Sequence, residues 1–183
     1  MLKTILAYGV IAGLVAGLPL SAFVIFAHDN APDHGVLIGY TIMLVALSTI
    51  FVAVKRHRDE MLGGVIRFWP AFGLGLGISL VAGILYVIAW EASCAIAHVD
   101  FASSYAASVV EQKRAAGASA AELAKTVAEM ERFKVQYANP LFRWPMTFIE
   151  IFPVGMLVSL ISAGLLRSPR FLPARTRGAA AAG

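Results

Sequence analysis

The chain has 183 residues, 59% of them hydrophobic and only 14% charged, with a formal net charge of +4. Soluble domains carry about a quarter charged residues and under half apolar ones, and the mean hydropathy of +0.76 also points away from them. These figures exclude a water-soluble enzyme, and the single Cys94 excludes an internal disulfide or a cysteine-based zinc site.

In chain order, four long stretches almost free of charge run at about 5-27, 36-54, 69-90 and 146-166. About 20 helical residues cross a hydrocarbon core about 30 Å thick, and within lipid a helix satisfies all its backbone groups internally. The pattern predicts an all-α fold, an integral membrane four-helix bundle over residues 1-167. The first apolar run, about 23 residues, exceeds the roughly 7–15 of a secretory signal, so it reads as a retained span.

Between the first two spans, His28, Asp29, Asp33 and His34 are zinc- or copper-compatible residue types. Their spacing matches no established ligand pattern, so they read as a polar turn and no metal is assigned. The next loop carries Lys55, Arg56, Arg58 and Arg67, with Gly63-Gly64 marking a turn. Together with Arg167 and Arg170 of the tail, these cations suit anionic lipid headgroups, which attract each by about 1 kcal/mol. They account for the positive charge without a nucleic acid partner. Lys3 and this basic set fall on one side of four spans, so both termini are expected in the cytoplasm, beneath a plasma membrane. Residues 168-183 read as a disordered basic tail.

The segment at about 100-138 changes character. Ser119-Ala-Ala-Glu122 is a capping box. Leu123, Val127, Met130, Phe133 and Tyr137 then recur at helical spacing, and Phe101, Tyr105 and Val109 form a shorter stripe before Gly117. An extracytoplasmic helical hairpin is expected between the third and fourth spans. Lys125 and Glu129 are placed to pair on its wet face.

Within the spans, small residues recur every four positions: Gly9, Gly13 and Gly17; Gly75, Ser79 and Gly83; Gly155, Ser159 and Ala163. Such ridges allow close helix approach, either within one bundle or between protomers or partner proteins. Glu150 is the one acidic residue well inside a span, and Glu91 sits near the outer end of another. An ionisable intramembrane group is by default a candidate functional site, while its structural reading is that Glu150 snorkels to the nearby interface or pairs with Arg143. Pro153 frees the carbonyl of Ile149 beside it.

Several of these pieces occur in a combination that resembles a known bacterial family. They are Gly39-Tyr40-x-x-Met43, Arg58-Asp59 followed by Gly63-Gly64-x-Ile66-x-Phe68-x-x-Ala71, Tyr86, Asn139-Pro140, and Thr147-x-x-Glu150-x-x-Pro153-x-Gly155. Their order and spacing resemble the membrane proteins grouped as domain of unknown function 4199, over the chain to about Leu166. The resemblance implies four spans with a helical insertion before the last, and no catalytic activity, substrate or cofactor. The expected function is therefore a non-enzymatic scaffold, regulator or subunit of an envelope complex, as a homo-oligomer or with a membrane-protein partner. The alternative is a small proton- or cation-coupled transporter or channel using Glu150 and Glu91.

Overall fold

A computed structural model of the chain describes residues 1–26 and 35–174. Among them the fold is all-helical: α1 (Leu2–Phe26), α2 (Gly35–Met61), α3 (Phe68–Ala97), α4 (Phe101–Ala115), α5 (Ala120–Tyr137) and α6 (Pro140–Leu166). Helices α1, α2, α3 and α6 are each long and apolar enough to cross a membrane. The helices run past the charge-free stretches, because those mark the hydrocarbon portion and not where a helix stops. Helix α3, with 30 residues, is about 45 Å long, some 15 Å more than a hydrocarbon core. Its last turns therefore carry Glu91 and Cys94 toward the boundary. Helix α6 begins at Pro140, capped by the Asn139 side chain on the Leu141 amide, so the Asn-Pro pair both closes α5 and opens the next helix.

The four long helices pack as a bundle in which α3 touches all the others, α2 touches α1 and α6, and α1 and α6 lie on opposite sides. Small residues set the spacing. A Cβ on Gly9 would lie 2.5 Å from the Cβ of Val81; on Gly13, 2.7 Å from that of Leu85; on Gly17, 2.9 Å from that of Ala89. Each partner lies the same number of positions further along the chain, so α1 and α3 run parallel and in register. Gly77 repeats the step in reverse, receiving Ile5 of α1.

Helices α3 and α6 meet antiparallel through a reciprocal crossing. Gly75 of α3 faces Ser159 of α6, and Gly155 of α6 faces Ser79 of α3. Each serine hydroxyl donates to the carbonyl four residues before it, Ser79 to Gly75 and Ser159 to Gly155, which hides two polar groups in an apolar interior. Leu47 and Ile50 of α2, both fully buried, close over this crossing. Gly83 admits the ring of Phe148 in the same way. Eight of the nine ridge residues singled out in the sequence, Gly9, Gly13, Gly17, Gly75, Ser79, Gly83, Gly155 and Ser159, thus meet another helix of the same chain, and the ninth, Ala163, is fully buried.

At the end of the bundle where α2 stops, Gly63 and Gly64 adopt φ of +66° and +92°, and the Gly64 amide donates back to the Arg58 carbonyl. Gly63 has the left-handed backbone that commonly ends a helix. At the opposite end, α4 and α5 pack together. Asp100 caps α4 by accepting from the Ser103 amide, and Ser119 with Glu122 forms the full capping box at the start of α5. Lys125 and Glu129 stand 3.9 Å apart and largely exposed, a contact of little energetic weight.

Candidate functional site

Where the α4–α5 pair meets the bundle, aromatic rings connect the two. Trp90 of α3 contacts Phe101 edge-on at 5.0 Å, and its indole N–H donates to the Tyr137 hydroxyl at 3.0 Å. Phe101 leads to Tyr105, Tyr105 to Phe133 and Phe133 back to Tyr137, with centroids 5.3–5.7 Å apart. Such pairs add about 0.5–1.5 kcal/mol each beyond their buried area, so the two short helices are fixed to α3 and not merely tethered. Burial pushes the Tyr137 phenol up to about 12, keeping it neutral as a hydrogen-bond partner for Trp90.

Beside these rings Arg143 grips Glu91. Its Nε donates to Glu91 Oε1 at 2.6 Å and its Nη2 to Glu91 Oε2, a two-point pair about a quarter exposed on each side. The Arg143 Nη1 also donates to the Tyr137 carbonyl at 3.2 Å, and its guanidinium sits 5.7 Å from the Tyr137 ring centre. One arginine therefore joins α3, the end of α5 and the start of α6.

This changes one expectation. Arg143 pairs with Glu91 and not with Glu150. The two residues of α6 are two helical turns apart, about 10 Å along the axis, whereas Glu91 faces Arg143 across the α3–α6 contact. Glu150 has no hydrogen-bond or ion-pair partner among the described residues.

The basic set divides as well. Arg58 is fully buried, donating to the carbonyls of Leu166, Phe171 and Leu172 and to the Asp59 carboxylate. It is thus corrected from a headgroup contact to a buried anchor that donates to the carbonyl of Leu166 at the end of α6 and to two carbonyls of the segment that follows. Lys55 is engaged with Asp59 at 2.6 Å. Arg56, Arg67, Arg167 and Arg170 are exposed. The sequence held a sign of this difference: Leu47, Ile50, Val54 and Arg58 follow at three- and four-residue spacing, so Arg58 continues the buried stripe.

The His28, Asp29, Asp33 and His34 loop and the tail from residue 175 lie outside the described residues. Among the described residues no group of three or more His, Cys, Asp or Glu is placed to hold a metal.

Comparison with curated proteins and with solved structures finds no match. The sequence profile described as "Protein of unknown function (DUF4199)" matches residues 7–168, nearly the whole described bundle, and the chain belongs to that family.

Proposed function

We propose that this chain is a non-enzymatic multi-pass membrane protein, serving as a scaffold, regulator or subunit of an envelope complex in a bacterial plasma membrane. In this reading both termini are cytoplasmic and the α4–α5 pair is an extracytoplasmic hairpin that presents a surface to a partner. The observation that supports it most is where apolar side chains remain uncovered outside the bundle. The small-residue ridges are filled within one chain, whereas Val127 and Val135 of α5 stay 44% and 76% exposed on a segment with a polar average character. The hairpin is also held rigidly, by Trp90, Tyr137 and the Glu91–Arg143 pair, which lowers the entropy cost of docking a partner on it.

The test is purification from native membranes of wild type and of Val127→Asp/Val135→Asp, followed by native mass spectrometry. A protein subunit in fixed stoichiometry that is lost from the double variant is the expected result. The same stoichiometry in both would remove the hairpin from the account.

A second reading, a proton- or cation-coupled transporter or channel, rests on Glu150, which stands within α6 without an ion-pair partner among the described residues. Liposome flux that vanishes in Glu150→Gln would establish this reading in place of the first.

A further inference from the structure

Two hollows meet at the Glu91–Arg143 pair. One is a recess of about 430 Å³ beneath the α4–α5 pair, lined by Trp90, Glu91, Asp100, Lys134, Tyr137 and Arg143 among others. The other is a groove of about 790 Å³ on the outward side of α3 and α6, formed by Ile84, Val87 and Ile88 against Trp144, Pro145 and Phe148. Glu91 lines both, so the two hollows adjoin at this residue.

Their chemistries differ in the manner of a membrane lipid. The groove is apolar apart from Glu91, and from Glu91 to Ile84 it descends about 10 Å along α3, within one leaflet of a core about 30 Å thick. The recess above it carries two carboxylates and two cations at its wall. Arg143 uses three of its five N–H donors on Glu91 and Tyr137, and Lys134 spends one on Glu131, so both keep donors free. Each Glu91 oxygen accepts one bond from Arg143 and retains a further lone pair. The wall can therefore satisfy an anion and a hydrogen-bonding cation together, and a singly charged guest of either sign would leave one half unmatched.

We infer that this composite hollow binds one phospholipid whose headgroup carries a primary ammonium next to its phosphate, with an acyl chain in the α3–α6 groove. The phosphate lies toward Arg143 and Lys134, and the ammonium toward Glu91 and Asp100. A quaternary ammonium has no N–H to give these carboxylates, and a glycerol-type anionic headgroup offers them no cation. This site does not depend on the hairpin having a protein partner, and its readout does not involve one.

The experiment is delipidation of the full chain, reconstitution in nanodiscs holding equal amounts of phosphatidylethanolamine, phosphatidylcholine and phosphatidylglycerol, and native mass spectrometry at activation that strips loosely held lipid. One phosphatidylethanolamine retained per chain is expected, about tenfold over phosphatidylcholine, the worth of one charge-assisted hydrogen bond. Ala92→Trp, at an exposed position that lines the groove, should abolish retention while leaving the helical content unchanged. Lys134→Met, outside the bundle, should keep the fold and reduce retention. Equal retention of the three lipids, or retention undiminished in Ala92→Trp, would overturn the assignment. So would the absence of any retained lipid.

Discussion

Replacing Gly9 or Gly13 by alanine should weaken the bundle, while the same change at Gly73 or Gly164 should not. The new Cβ at Gly9 would stand 2.5 Å from the Val81 Cβ, and at Gly13 2.7 Å from the Leu85 Cβ. Carbon atoms rest about 3.5–4.0 Å apart, so the shortfall is roughly 1 Å. The atoms met are Cβ atoms, which no rotamer change moves, so α1 must withdraw from α3. A gap approaching 1 Å forfeits about a quarter to a half of each dispersion contact along the seam, and overpacking of this kind costs about 1–3 kcal/mol. Every Gly→Ala change also gains up to about 1 kcal/mol of helix propensity. The net expectation is about 1–2 kcal/mol of destabilisation at Gly9 and Gly13. Gly73 and Gly164 have no neighbour within 4 Å of the added carbon, so they should be unchanged or slightly stabilised. Unfolding of the four variants in mixed micelles, followed by far-ultraviolet circular dichroism, separates the two classes. Equal midpoints for all four would refute the parallel α1–α3 seam.

Arg58→Met should destabilise by about 3–5 kcal/mol, as expected when a buried charge network loses one partner and Asp59 and the carbonyls of Phe171 and Leu172 lose their donor. Arg56→Met, at an exposed i,i+4 pair with Glu60, should leave the midpoint essentially unchanged in the same unfolding assay. A pH dependence follows from the caps of the short helices. Ser103 holds the Asp100 carboxyl below its ordinary value, and Ser119 holds the Glu122 carboxyl down likewise. Their stabilisation is therefore complete above the unfolded-state values, about pH 4, and is lost as the pH falls through the lower folded-state values. Acid should fray α4 and α5 before the long helices, and Asp100→Asn/Glu122→Gln should flatten that response in amide hydrogen exchange. An undiminished response in the double variant would contradict the cap assignment.

What the sequence conveyed about the fold depended on how local each signal was. The long helices were legible because lipid imposes a length and an absence of charge that short windows reveal. The capping box at Ser119 was legible because its partner lies three residues away. The ridge glycines could be picked out, but not which helix each would meet, since Gly9 meets Val81 and Gly155 meets Ser79 only through tertiary packing. The same limit misdirected Arg143 toward Glu150 of its own helix instead of Glu91 of α3. Arg58 was hidden for another reason: a cation among cations reads as a headgroup contact until its place on the Leu47–Ile50–Val54 face is considered. The composite hollow needs α3, α5 and α6 together, and no single segment announces it.

The docking surface requires the α4–α5 pair to lie on the outer side of the membrane. In a Cys94→Ser background, Lys125→Cys on α5 and Met61→Cys at the end of α2 place single exposed thiols at opposite ends of the bundle. A membrane-impermeant thiol reagent applied to intact cells should label residue 125 at once and residue 61 only after permeabilisation. Labelling of residue 61 in intact cells, with residue 125 protected until permeabilisation, would contradict the account.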